Sequence, residues 1–301
     1  MTLKCSHIVF YFDCFRFVSG NIGEHLMLTQ LSISARFMQR SLSCLLRPFV
    51  ALLAIAFIIP SPAHAEDAAI RLATRLTLPP YVQNGATTGI EVEIIKAVFE
   101  KTGHKIKFEQ MNRIQMIKQF DDGNIDGILT QNITASNVGC ATDWYLVHQN
   151  VAFTLADTGI NIASVADLTT MAVVSFDGAQ KYIGGEFQTA VKDNENYREV
   201  AEQSDHIGLL YSGQFDAIVG DEWIIRYAQR QLFEATGEYR ELRVHHILKP
   251  SLYSARFHNP KVCETFNTAL QSLKHSGEYD NLVENYHQSI LVAARAGQPH
   301  Q

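Results

Sequence analysis

The apolar and polar positions from Ala69 onward alternate between two periods. Ile70-Arg-Leu72-Ala-Thr74 alternates residue by residue, the pattern of a half-buried strand. Ile90, Ile94, Ile95, Val98 and Phe99 then share one helical stripe, which Gly103 ends. Lys105-Ile-Lys-Phe108 alternates again, and Ile114, Met116 and Ile117 open a helix that stops near Gly123. Ile125 to Leu129 reads as a short buried strand. After Ala163 the same grammar returns. Met171 to Phe176 is a strand, a helix starts at Gly178, and Asp205 to Tyr211 is a second helix. Asp216 to Gly220 is a strand, and Glu222 to Phe233 is a helix. From Pro260 the tail is helical, with Val262, Phe266, Leu270 and Leu273 on one face and proline at the start. A shorter helix is expected from Tyr279 to about Tyr286, and the last stretch, about 291–301, reads as frayed. Strands alternating with helices imply parallel α/β sheets, whose ligand crevice lies at the strands' carboxyl ends.

The front of the chain follows neither period. Arg40 and Arg47 sit in a short basic segment after Met38, and Phe49 to Ile59 is wholly apolar. Pro60-Ser-Pro62 breaks the run, and Ala63-His64-Ala65 follows. That order is a basic region, an apolar region and an A-x-A cleavage site, so a cleaved signal peptide is expected, with the mature chain starting at Glu66 and export to the periplasm. The apolar run is too short for a spanning helix, which needs about 20 residues. Residues 1–37 have no part in that signal, and Met38 is the expected start.

Charge sharpens this division. The first 65 residues hold five Lys/Arg against Asp13 and Glu24, a net +3; the whole chain carries −6, so residues 66–301 carry −9. An acidic body without an Arg/Lys cluster excludes nucleic acid as its partner. Three of the five cysteines lie in the leader; Cys140 and Cys263 remain, either disulfide-bonded or free. No CxxC or His-x-x-x-His spacing indicates a metal site, and no cofactor is expected.

Several short motifs resemble one family. They are Pro79-Pro80-Tyr81, Gly89-Ile-Glu-Val-Glu-Ile-Ile95, Gly123-Asn-Ile-Asp126-Gly127-Ile128, Ala166-Asp167-Leu168, Ser212-Gly213-Gln-Phe-Asp216-Ala217-Ile-Val-Gly-Asp221 and Ser276-Gly277-Glu278-Tyr279. In this order over residues 69–290 they resemble the family 3 periplasmic solute-binding proteins, the polar amino acid-type components of ABC transporters. The resemblance implies the two-lobed type II periplasmic binding protein fold. Each lobe is a mostly parallel sheet flanked by helices, and two crossing hinge strands run near 150–153 and 245–248. Lobe one spans about 66–150 plus 250–290, and lobe two about 151–249. It also implies a monomer that closes on a small polar solute and meets a membrane ABC permease transiently.

Candidate site residues follow from chemistry and from the resemblance together. Asp221 ends a buried strand and matches the family's amine-binding aspartate; it also suits the N-cap of the next helix. Tyr81 follows two prolines and suits stacking on a solute or packing on its own loop. Gly178, Ala179 and Gln180 form a strand-to-helix turn that in the family holds a carboxylate on backbone N–H groups, with Asp177 opposing that role. Asn137 stands where the family carries a carboxylate-binding arginine, and Asn lacks the charged fork. Three readings follow: Arg75 or Arg113 takes the anion, both are solvated surface arginines, or the solute is not an α-amino acid. Trp223, next to Asp221-Glu222, is a further candidate contact.

A periplasmic enzyme resembling cyclohexadienyl dehydratase is the alternative on the same fold. It would draw on Asp126, Asp177, Asp221 or Glu222 and on His148, His245 or His246. None of these sits in a nucleophile or metal motif, so no catalytic residue is assigned.

Overall fold

The computed structural model describes residues 68–132 and 138–296, with side chains as far as Leu291. The leader and Asn137 lie outside the described residues.

Two sheets organise the chain. The first is built from β1 (Ile70–Thr74), β2 (Ile106–Gln110), β3 (Gly127–Gln131), β4 (Cys140–Ala141), β5 (Leu146–His148) and β11 (Ser251–Phe257). Its order is β2-β1-β3-β11-β4, with β5 also on β11. The second holds β6 (Asn150–Leu155), β7 (Val173–Phe176), β8 (Tyr197–Val200), β9 (Ala217–Asp221) and β10 (Leu242–His245), in the order β10-β6-β9-β7-β8. We call the sheet-centred bodies lobe one and lobe two.

Both sheets are mixed. β1 pairs in parallel with β2 and β3, and β7 with β8 and β9. β11 and β6 instead run antiparallel to their neighbours. The reason lies in connectivity: these strands enter each sheet directly from the other lobe, without the crossover helix that a parallel pair needs. The chain passes from β5 to β6 at Gln149. It returns over residues 246–250, which are irregular where a second strand crossing was expected. Pro250 has no N–H to give a ladder, and Ile247 N–H turns back onto the His245 carbonyl at 3.0 Å.

Helices cover the sheets through their apolar stripes. In α1 (Ile90–Thr102) the predicted stripe is the buried face, with Ile90, Ile94, Ile95, Val98 and Phe99 in the lobe-one core. Burying each such side chain is worth about 1.5–3 kcal/mol. Gly103 ends the helix in the left-handed conformation, φ 73°. α2 (Arg113–Asp121) starts with a capping box: Asn112 Oδ1 accepts from Gln115 N–H at 2.9 Å and Gln115 Oε1 from Asn112 N–H at 3.3 Å. This cap fixes Arg113 as the first helical residue.

In lobe two the helix expected from Gly178 is two short ones, α3 (Ala179–Ile183) and α4 (Gly185–Val191), split where Gly184 takes φ 117°. α5 (Asp205–Tyr211) and α6 (Glu222–Thr236) follow as expected. α7 (Pro260–His275) packs Val262, Phe266, Leu270 and Leu273 into the lobe-one core. The last helix, α8 (Glu278–Ala296), is longer than Tyr279 to Tyr286, and its backbone is helical where the sequence reads as frayed. Its end, Ala293-Ala294-Arg295-Ala296, is composed of strong helix formers. A disulfide joins Cys140 of β4 to Cys263 of α7, tying an edge strand to the helix over it.

Candidate functional site

A cavity of about 200 Å³ lies where the two lobes meet. Lobe one contributes Arg75, Arg113, Thr130, His148 and Tyr253 to its wall. Lobe two contributes Asn150, Phe176, Asp177, Tyr182, Gln203 and Asp221. Most of these stand at the ends of sheet strands, where an α/β sheet opens. The volume is below the roughly 300–1,000 Å³ of drug-sized pockets, so it suits a small solute.

Asp221 is the last residue of β9 and the N-cap of α6. Its Oδ1 accepts from the N–H groups of Trp223 and Ile224, 3.0 Å each. The Tyr81 hydroxyl donates to both carboxylate oxygens, also at 3.0 Å. Asp221 is 2% exposed, and burial pushes its pKa up to about 7, against the opposing pull of those hydrogen bonds. The cap and the cavity wall are thus the same carboxyl group.

Tyr81 is itself buried. It stacks on His148, ring centroids 4.2 Å apart, and does not line the cavity. Its position depends on Gly89, whose backbone passes so close that a Cβ would sit 2.2 Å from the Tyr81 carbonyl oxygen. The Tyr81–Asp221 bond joins the lobes across 140 residues of sequence.

Beneath the wall is a second buried acid. Glu91 of α1 accepts from the Tyr145 hydroxyl and from Thr130 Oγ1 (2.7 Å), and burial raises its pKa. Thr130 carries φ 53°, unusual for a β-branched residue, and is held there by Glu91 and by its own N–H bond to Tyr145 Oη at 2.9 Å. His148 is buried and stays neutral, its pKa pushed down to about 3 by burial and the nearby Arg75 charge. Its Nε2 has no hydrogen-bond partner among the described residues.

Arg75 follows β1 directly. Burial and the charge of Arg113 lower its pKa, yet a guanidinium remains charged at any working pH. Arg113 lies over the Tyr182 ring, 4.9 Å from its centroid, a cation–π contact from lobe one to lobe two.

Of the residues singled out in the sequence, the structure brings Arg75, Arg113 and Asp221 together in this wall. Gly178, Ala179 and Gln180 are not part of it. Their turn is already occupied: Gly178 N–H and Gln180 N–H donate to the Glu199 carboxylate at 2.8 and 3.0 Å. Trp223 also lies off the cavity and stacks on His287, centroids 3.5 Å apart. Sequence reasoning gave no solute contact to His148, Thr130, Tyr182, Gln203 or Tyr253. None carries a motif; His148 stands out in the sequence only for its position near the lobe crossing.

The family model for the bacterial extracellular solute-binding proteins, family 3, matches residues 70–289, and the chain belongs to that family. No curated protein sequence matches it. Among solved structures it is similar to the GluR0 ligand-binding core in complex with L-glutamate (TM-score 0.59, 21% identity, covering 72% of this chain and 97% of that one). It is similar also to a histidine kinase sensor domain resembling periplasmic binding proteins (TM-score 0.57, 19% identity, 73% and 96% covered). A third is ArtJ, an arginine-, lysine- and histidine-binding protein from Geobacillus stearothermophilus (TM-score 0.55, 15% identity, 72% and 94% covered). These likenesses establish the two-lobed fold.

Proposed function

We propose that this protein captures a small polar solute between its lobes in the periplasm and delivers it unaltered to a membrane ABC transporter. One observation carries the reading: a small polar cavity walled by charged side chains from both sheets. Capture then requires the lobes to move together about the crossings at Gln149 and 246–250, with the lobes divided as expected, about 66–150 plus 250–290 and 151–249, except that Asn150 opens β6 and so goes with lobe two. Arg75, Arg113 and Asp221 contact the solute, and the protein acts as a monomer. The leader serves export and is removed after Ala65. Family membership and the sequence of the leader support this placement.

A thermal-shift screen of amino acids, polyamines and organic acids tests the proposal. A solute present at 100 times its dissociation constant adds about 2.7 kcal/mol to native stability, a rise of several degrees. The bound solute should be recovered with its mass unchanged. A panel without any shift, or a solute converted to product, contradicts the proposal.

A further inference from the structure

The wall of the cavity carries cations that the protein does not neutralise itself. The other seven arginines with described side chains each donate to a carboxylate or a carbonyl. The guanidinium groups of Arg75 and Arg113 make no hydrogen bond or ion pair among the described residues, Arg113 only lying over the Tyr182 ring, although both face the same small cavity and repel each other. Two guanidinium forks left open in one enclosed space are an incomplete anion site.

The acids nearby do not fill that role. Glu199 is spent on the backbone of the Gly178 turn and on the Tyr197 hydroxyl. Glu91 lies beneath the wall and its charge acts on Arg75, but it makes no ion pair with it: its Oε1 is taken by Tyr145 and Thr130, its Oε2 has no partner among the described residues, and burial raises its pKa. Asp221 takes three internal donors and carries only part of a negative charge near neutral pH. That leaves Asp177, exposed at the rim, against two half-buried cations. The remaining polar groups are neutral: His148 Nε2 and Gln203 Oε1 are both buried, unpartnered atoms of lining residues. Neutral His148, in the tautomer with Nε2–H, can donate to a carboxylate oxygen, whereas Gln203 Oε1 is an acceptor and offers a dianion no hydrogen bond. The cavity has room for roughly seven water molecules, the scale of succinate or glutarate.

We infer that the cleft selects a small organic dianion of the dicarboxylate class, held through its acidic groups by Arg75 and Arg113, with no ammonium group required on the solute. The inference rests on the solute-binding reading above. The turn that holds a carboxylate in the family is closed by Glu199, so the anion is moved to lobe one. Asp221 remains a wall contact, but Tyr81 and two backbone N–H groups already satisfy its carboxyl, so no ligand amine is needed there.

Calorimetric titration of the purified protein with glutarate, L-glutamate, L-glutamine and L-arginine at pH 7.5 tests this. Glutarate should bind most tightly, and glutamine and arginine should not saturate. Arg75→Gln and Arg113→Gln should each weaken glutarate by roughly 10- to 100-fold, the effect of losing a charged hydrogen-bond pair. Arg113→Lys, which keeps the charge without the fork, should fall between. Should the partly buried Arg75 variant not fold, the two Arg113 variants carry the comparison, since that side chain sits at the first turn of a capped helix. Tighter binding of L-glutamate, L-glutamine or L-arginine than of glutarate overturns the inference. So does a glutarate affinity that both Gln variants leave unchanged. If only uncharged solutes bind in the wider screen, the dianion assignment falls and solute binding stands; if nothing binds, both fall.

Discussion

The ionisation of Asp221 should be measurable as a change in stability, and Asp221→Asn isolates it. A buried carboxyl whose pKa rises from 3.8 to about 7 favours the folded state fully below pH 4 and loses that contribution as pH climbs through 7. The full loss is about 4 kcal/mol, because each tenfold change in proton affinity between the folded and unfolded states is worth about 1.4 kcal/mol. Between pH 5 and 8 the share lost is about 3 kcal/mol. The wild-type curve alone does not reveal it. His148 and His287 are held neutral by burial, at about 3 and about 4, so their contributions are present above pH 6.5 and vanish as pH falls. The two trends oppose each other across the acid range. The difference between variant and wild type cancels the histidines. The substituted asparagine keeps the shape and still accepts from Trp223 and Ile224 N–H, but it does not ionise. The gap in melting temperature, Asn variant minus wild type, should therefore widen by roughly 5–10 °C from pH 5 to pH 8, at about 2–4 °C per kcal/mol for a body of this size. Differential scanning calorimetry at four pH values measures it. A gap that stays constant within a degree refutes the assignment of a buried, half-titrated Asp221.

Tyr81→Phe removes the interlobe donor to Asp221; it should cost about 1.5–3 kcal/mol at pH 8, where the carboxylate is charged, and clearly less at pH 5, as read by urea melts at both. Gly89→Ala places a Cβ 2.2 Å from the Tyr81 carbonyl oxygen at φ 123°, so a loss of about 2–5 kcal/mol is expected in the same melts. Cys263→Ser opens a loop of 123 residues, and chain entropy sets the destabilisation at up to about 5 kcal/mol; a melting temperature equal to that of the oxidised protein contradicts a bonded pair.

The sequence made the fold legible because periodicity and caps act locally. The α1 stripe, the Asn112 cap and the Asp221 cap all sit within a few residues of what they organise. Asp221 was visible for that reason: a short buried strand ends at an acid just before a helical pattern. What escaped depends on distance along the chain. β11 returns to the centre of the first sheet from far downstream and inserts between strands formed more than a hundred residues earlier, and nothing local marks it. The Tyr81–Asp221 bond spans the lobes, so Tyr81 reads equally well as a solute contact or as packing. Glu199 closes the Gly178 turn from the neighbouring strand β8, a pairing no motif announces. Arg75 and Arg113 were nameable one at a time; that both remain open in one cavity is a three-dimensional fact.

The central claim is that the solute sits between the lobes, in contact with both. A crystal structure of the protein with the best solute from the screen tests it most directly. The solute is predicted between Arg75 and Arg113 of lobe one and Asn150 or Tyr182 of lobe two, chemically intact. Density on one lobe alone, outside this cavity, or for a transformed product contradicts the claim.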